Sequence, residues 1–240
     1  MSSSTAPPDV AARRAAVLRV ALVLGYLVLA HLAGVRHDPR LAAVATGDIA
    51  AIVLLSPMLA GRAWAWGAFA ACCVALARLA QGTHAFVPLL LVPVAILCLV
   101  GWSFARTLSR GRVPLITRIV AAMDAVPPAQ LAPDLRCYTR RLTLAWALLL
   151  GTLALLNLAL AALAVPDGLF VAFGVASPLP VTQTQWSWCA NIGNYGLVAG
   201  FMLAEFRLRQ RRFPGRYTGF VHFLRRMASL GPAFWADAFR

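Results

Sequence analysis

Charged and amide side chains inside long apolar segments are the first candidates for chemistry in this sequence. Asp48 and Arg78 lie in two successive apolar segments, and Asn191, Asn194 and Glu205 lie in a later, more polar one. Such groups are costly in hydrocarbon, so where they occur they line substrate or ion pathways or pair with one another. We therefore expect Asp48 and Arg78 to line a polar pocket with His31, His84, Asn157, Asn191 and Asn194. The alternative is that Asp48 and Arg78 neutralise each other as an ion pair and the asparagines join helices.

The later segment places its polar residues on one helix face. At roughly 100° per residue, Asn194 and Glu205 fall within about 20° of each other around the axis. This face would serve either as a substrate site or as a helix-packing seam joined by amide side chains. Small residues would let another helix approach it closely, and these are Gly193, Gly196 and Gly200. We expect Glu205 to pair with one of three arginines, Arg19, Arg106 or Arg207.

A second candidate site combines arginines with threonines in a basic loop. All 22 basic residues of the chain are Arg, whose planar guanidinium group binds phosphate and carboxylate through two parallel hydrogen bonds. Anionic lipid headgroups would satisfy the same residues, and positive charge that only orients a membrane protein needs no ligand. The predicted phosphate- or carboxylate-binding residues are Arg106, Thr107, Arg112, Thr117, Arg140 and Arg141.

The sequence gives little support for a classical enzyme. The five cysteines have no zinc-site spacing and an odd count, so neither a metal site nor a disulfide framework is predicted. Cys137 in the basic loop has no histidine close to it in sequence, which argues against nucleophilic catalysis. Nucleotide-binding, zinc-protease and serine-hydrolase motifs are missing. We expect no cofactor, and whether the protein catalyses any reaction is left open.

The elements that must position these residues are membrane-spanning helices. The chain has 240 residues, of which 61% are hydrophobic and only 12% are charged, too few charges for the surface of a soluble domain. A helix crosses the hydrocarbon core with about 20 apolar residues. This predicts an all-α, polytopic membrane protein with about six transmembrane helices, at residues 15–35, 41–60, 63–80, 85–105, 142–165 and 185–206.

Charge distribution predicts the orientation. The loop at 106–141 and the tail at 207–240 are rich in arginine, whereas residues 166–184 contain none. The positive-inside rule then places both termini in the cytoplasm of a bacterial inner membrane. The predicted organisation is a polar N-terminal tail, four helices, a basic loop, two helices and a basic tail, at residues 1–14, 15–105, 106–141, 142–206 and 207–240.

Two stretches outside the spans have the pattern of amphipathic helices. Residues 115–126 and 217–230 each place apolar side chains on one stripe, with arginine beside it. This pattern is typical of interfacial helices that lie on an anionic leaflet. An alternative is that each stripe packs against the ends of the protein's own helices.

Several short motifs resemble a known family. They are FARTL at 104–108, GRVPLIT at 111–117, YTRRLTLAW at 138–146, NIGNY at 191–195 followed by Glu205, and RRFP at 211–214. Together they resemble small bacterial inner-membrane proteins encoded beside fatty-acid-synthase-like genes for aryl polyene or xanthomonadin-type pigments. Members are sometimes labelled ketosynthases, but this chain has neither the soluble α/β fold nor the Cys–His arrangement that condensation requires.

The resemblance implies a role in polyene or fatty-acyl biosynthesis. We expect an accessory protein whose arginine-rich face docks an acidic acyl carrier protein or an acyl product. The alternatives are a membrane-bound acyltransferase-like lipid enzyme with a site near Glu205, and a small transporter or flippase subunit that depends on Asp48 and Arg78. The expected partners are the bilayer, its anionic lipids and a carrier protein or soluble synthase components, and not nucleic acid.

Overall fold

The computed structural model describes residues 10–36, 38–82, 84, 86–213 and 219–238. It is about 81% helical, which confirms the predicted all-α class. Helices satisfy every backbone hydrogen bond within one segment, so they are the natural form of a chain this apolar. The remaining regular structure is a parallel pair of two-residue strands, β1 (Ala164–Val165) and β2 (Val181–Thr182).

The chain divides into two compact units, residues 1–92 with 160–183 and residues 93–159 with 184–240. The first unit is built on three helices and the start of a fourth. One of them is capped by Asp38, whose carboxylate accepts a hydrogen bond of 2.8 Å from the backbone N–H of Arg40. The helices are α1 (Val10–Arg36), α2 (Pro39–Leu59), α3 (Ala63–Leu79) and α4 (Val87–Ala105).

The core of the first unit lies between α1, α2 and the start of α4. Ala33, Ala42 and Ala45 are fully buried, and they pack with Phe86 and Leu89. Alanine at these positions allows close packing of the helices around the two larger side chains. The C-terminal end of a long later helix, the two strands and the short helix α7 (Leu169–Ala172) complete this unit.

The second unit contains the rest of α4 and the helices of the basic regions. A π-helical segment, Trp188–Gly193, joins two of its helices into one continuous helical run. Its elements are α5 (Leu115–Met123), α6 (Pro133–Leu163), α8 (Gln183–Ser187), α9 (Asn194–Arg212), α10 (Phe220–Ala228) and α11 (Gly231–Ala238), with 3-10 turns at Arg106–Leu108 and Pro128–Gln130.

Four helical segments in the described part of the chain are long and apolar enough to cross a membrane. Large apolar side chains on these helices face outwards, as with Val53, Leu99 and Leu155, each at least 70% exposed, which suits contact with lipid. Helix α3 has only 17 residues, and α9 carries Glu205 and several arginines. The four segments are Val17–Gly34, Pro39–Leu59, Val87–Leu108 and Pro133–Leu163.

Candidate functional site

Glu205 is the centre of a buried polar cluster in the second unit. Its Oε1 atom accepts hydrogen bonds from Arg209 Nε at 2.7 Å and from Tyr138 Oη at 3.0 Å, and Arg209 Nη2 lies 2.6 Å away. Glu205 is 8% exposed and Arg209 is 4% exposed. The four-residue spacing places both side chains on one face of α9, which faces Tyr138 of α6. Oε1 is therefore occupied by protein contacts.

Aromatic rings lie beside this cluster. The guanidinium carbon of Arg209 lies 5.0 Å from the ring centre of Phe223 in α10. The guanidinium carbon of Arg212 lies 5.7 Å from the ring centre of Tyr138. The Tyr138 ring also contacts the Phe213 ring edge-on. Rings that cover a guanidinium group exclude water and add cation–π attraction. The sequence prediction of a partner for Glu205 among Arg19, Arg106 and Arg207 is thus corrected to Arg209.

Two asparagines join α6 to α9 by a reciprocal amide pair. Asn157 Nδ2 donates to Asn194 Oδ1 at 2.9 Å, and Asn194 Nδ2 donates to Asn157 Oδ1 at 3.0 Å. Each amide also donates to the carbonyl four residues earlier in its own helix, at Leu153 and Ala190. Both side chains are buried. Asn194 therefore belongs to a packing seam, which was one of the two interpretations of this helix face.

Asn191, predicted on the same face, falls in the π-helical segment, and its side chain lies outside what the structure describes. The predicted close approach at Gly196 and Gly200 is not formed, because an added Cβ at either position would meet no described atom within 4 Å. The close contact lies instead at Gly101 of α4, where a Cβ would come 3.3 Å from the Leu150 side chain of α6.

The two threonines of the predicted anion site point into the protein. Thr107 Oγ1 accepts a hydrogen bond from the backbone N–H of Leu115 at 3.0 Å. Thr117 Oγ1 lies 2.7 Å from Thr139 Oγ1. Thr107 and Thr117 are both buried, so their hydroxyl groups hold α5 in place and do not face an external ligand. The prediction that they donate to a bound phosphate is corrected on this point.

The arginines of that predicted site lie on the surface around α5 and the start of α6. Arg112, Arg140 and Arg141 are exposed and Arg106 is half-buried. Arg140 donates to the carbonyl of Leu108 at 3.2 Å, which ties the start of α6 to the 3-10 turn at Arg106–Leu108. We call these four residues the arginine surface. A guanidinium group has five N–H donors, so the exposed Arg112, Arg140 and Arg141 can form hydrogen bonds with an anion.

The amphipathic stretches pack against the protein itself. Leu115, Ile119 and Met123 of α5 form one buried cluster with Phe206 of α9 and Phe223 of α10. Arg226 of α10 donates to the carbonyl of Met123, and Arg118 forms an ion pair of 2.5 Å with Asp237. The apolar stripes of α5 and α10 are therefore used for internal packing. Residues 217 and 218 of the predicted second stretch lie outside the described residues.

Asp48 and Arg78 do not form an ion pair among the described residues. Gly47 of α2 faces α3, where Leu76 lies 3.7 Å from an added Cβ, whereas Asp48 Oδ2 lies 3.2 Å from the position of a Cβ on Gly25 of α1. The carboxyl group therefore lies next to α1. Asp48 lines a cavity of about 790 Å³ between α1, α2 and α3. Arg19 of α1, one of the arginines predicted as a partner of Glu205, instead donates a hydrogen bond to the hydroxyl group of Ser56 at 2.5 Å.

Sequence reasoning gave no role to Tyr138 or Arg209, and it named Asn157 without identifying Asn194 as its partner. Arg209 has a recognisable sequence pattern, since Glu and Arg four residues apart on a helix commonly pair. Tyr138 and Asn157 reach α9 only through tertiary packing, which spacing within one helix does not predict. Groups of His, Cys, Asp and Glu suited to a metal ion are absent from the described residues. Comparison of the chain with protein-family models, curated proteins and solved structures finds no match.

Proposed function

We propose that this chain is an accessory protein of the bacterial inner membrane that serves a polyene or fatty-acyl biosynthetic pathway. Its arginine surface would dock an acidic acyl carrier protein and so bring the acyl product to the bilayer. The observation that carries the proposal is that buried threonines hold α5 in place while arginines near it remain exposed. Thr107 and Thr117 fix this helix through buried hydroxyl groups, while Arg112 before it and Arg140 and Arg141 of α6 remain exposed.

Charge complementarity supports this partner. The chain has a formal net charge of +14, and a carrier protein presents acidic side chains and a phosphopantetheine phosphate. Guanidinium groups bind both through charge-assisted hydrogen bonds. Because the helices that carry the arginine surface are packed together, the surface loses little conformational freedom on binding, which favours affinity. In the proposed topology six helices cross the membrane, both termini are cytoplasmic, and α3 and the α8–α9 run supply the two spans beyond the four most apolar ones.

A docking role fits the buried polar groups better than catalysis does. An acyltransferase-like enzyme needs a general base that can reach its substrate. Glu205 Oε1 is held by Arg209 and Tyr138, and Asn194 is held by Asn157. These contacts favour a structural role for the residues around which such an active site was expected.

The test is a pooled Gln substitution of Arg106, Arg112, Arg140 and Arg141. We expect it to abolish co-purification with an added acidic acyl carrier protein while membrane insertion is unchanged. Because three of these side chains are exposed and Arg106 is only half-buried, the protein should still accumulate. The matched control replaces the exposed Arg36, Arg62 and Arg78 with Gln and should retain the carrier protein. Full retention by the first variant would refute docking at the arginine surface.

A further inference from the structure

The cavity beside Asp48 has the size and lining of a binding site for a small amphiphile. Its volume of about 790 Å³ lies within the range of about 300–1,000 Å³ that small-molecule sites occupy. Leu22 and Leu29 of α1, Val44 of α2, and Phe69 and Leu76 of α3 form apolar walls. Such walls suit a hydrocarbon chain.

Three polar side chains interrupt these walls at defined positions. Arg40 lies at the start of α2, and Gln81 follows α3. Asp48 is eight residues after Arg40 on the same helix. Steps of four residues place Arg40, Val44 and Asp48 on one stripe of α2. The eight residues from Arg40 to Asp48 span about 12 Å. The cavity therefore has hydrogen-bond donors at one end and a carboxyl group about 12 Å further along its wall.

Asp48 needs a partner that the described residues do not supply. None of them forms a hydrogen bond or an ion pair with it. It stands near the middle of α2, one of the helices suited to a membrane span, where an isolated carboxyl group is costly. The missing side chain of Gly25 leaves the space that the carboxyl group occupies. An ordinary lipid tail in the cavity would leave Asp48 facing hydrocarbon.

We propose that this cavity binds a single-chain amphiphile with an anionic headgroup and a hydroxyl group part-way along its chain. Arg40 and Gln81 hold the headgroup, the apolar walls hold the chain, and Asp48 hydrogen-bonds the hydroxyl. A bare metal cation fits less well, since it needs several oxygen ligands and the described residues contain no cluster that would provide them. This proposal does not depend on carrier-protein docking.

The test compares oleate with ricinoleate, which differs from it by one mid-chain hydroxyl group. Binding to the purified full-length protein in detergent is measured by equilibrium dialysis with radiolabelled ligands. We expect ricinoleate to bind about tenfold more tightly, because a hydrogen bond to a carboxyl group in an apolar site is worth at least that factor. Asp48→Leu should remove the preference, and Arg40→Gln should weaken both ligands by about tenfold.

Controls separate the cavity from general affinity for lipid. Arg62→Gln, an exposed arginine outside the cavity, should leave both affinities unchanged. A photoactivatable oleate analogue should label Leu22, Phe69 or Leu76, and competing ricinoleate should remove the label. Equal binding of the two ligands by the unmodified protein would overturn the proposal even if a variant failed to fold. Labelling confined to outward-facing residues such as Val53 would overturn it too.

Discussion

The ion pair between Glu205 and Arg209 is the residue-scale feature whose loss should matter most. Removing one partner of a buried pair leaves an uncompensated charge, which costs about 3–5 kcal/mol. We therefore expect Glu205→Gln and Arg209→Met each to lower the free energy of unfolding by about 3 kcal/mol. Thermal unfolding of the purified protein in detergent measures the effect. Arg207→Gln, an exposed neighbour on α9, should change stability by less than about 0.5 kcal/mol.

The same substitution separates the structural role of Glu205 from a catalytic one. If Glu205 holds helices together, Glu205→Gln lowers protein abundance, and product formation falls in proportion. A general base would give the opposite pattern, with normal abundance and a specific loss of product. Normal abundance and unchanged unfolding in Glu205→Gln would contradict the structural role.

The reciprocal amide pair gives a second residue-scale prediction. Asn157→Leu should destabilise the protein by about 1–2 kcal/mol, because it leaves the Asn194 amide without its cross-helix partner. Asn157→Leu combined with Asn194→Leu should cost less than the sum of the two single changes. A double-mutant cycle of thermal unfolding measures this coupling, and strictly additive costs would argue against the pair.

At the residue scale, the sequence predicted which side chains need a partner, but it did not identify the partners. Asn194 and Glu205 both reach α6, as their spacing around one helix predicts. The partners Asn157 and Tyr138 come from a segment that lies 37 and 67 residues away from them in the chain, and only packing brings them there. Periodicity within a helix fixes the direction of a side chain but carries no information on the neighbouring helix.

Helix α5 shows how an element can be capped by other elements. Its N-cap residue, Pro114, makes no side-chain cap hydrogen bond, yet its first two backbone N–H groups are satisfied. Thr107 Oγ1 accepts from Leu115, and Thr143 Oγ1 accepts from Ile116 at 3.3 Å. The capping threonines come from the 3-10 turn before α5 and from α6, so α5 is fixed to both.

We expect Thr107→Val to destabilise α5, because it leaves the buried N–H of Leu115 without an acceptor at a cost of about 1–3 kcal/mol. Amide hydrogen exchange should show faster exchange in α5 and little change in α1 and α2. Thr152→Val, at an exposed position of α6, is the matched control and should leave exchange in α5 unchanged. Full protection of α5 in Thr107→Val would contradict its capping role.

The long apolar helices could be predicted from composition and apolar length, whereas the packing partner of each amphipathic face could not. Helices α5 and α10 were predicted from their stripes, but a stripe fits a bilayer surface and a protein interior equally well. In the structure both apolar stripes pack against the protein, since Leu115 and Phe223 share one buried cluster with Phe206. Sequence also placed the close helix contact at Gly196 and Gly200, where the glycines are exposed, and missed Gly101. Whether a glycine forms a close helix contact depends on whether another helix packs against it. Composition alone gives no information on this.

At the scale of the whole molecule, the proposed topology predicts which segments share a side of the membrane. Residues 106–141 and 207–240 carry most of the arginines and should face the cytoplasm, while residues 166–184 should face the periplasm. Single cysteines at Ala129, Ala176 and Arg211, in a variant without the native cysteines, would report this. Each position is exposed, so replacement should not disturb packing.

In intact cells an impermeant maleimide should label Ala176→Cys strongly and the other two positions only after the membrane is permeabilised. This pattern follows because arginine is retained on the cytoplasmic side, and because an odd number of spans must separate Ala129 from Ala176 while an even number separates Ala129 from Arg211. Labelling of Arg211→Cys in intact cells would place α9 outside the membrane or reverse its direction. The arginine surface and the C-terminal tail would then lie on different sides, which is incompatible with the packing of α5 against Phe223 of α10.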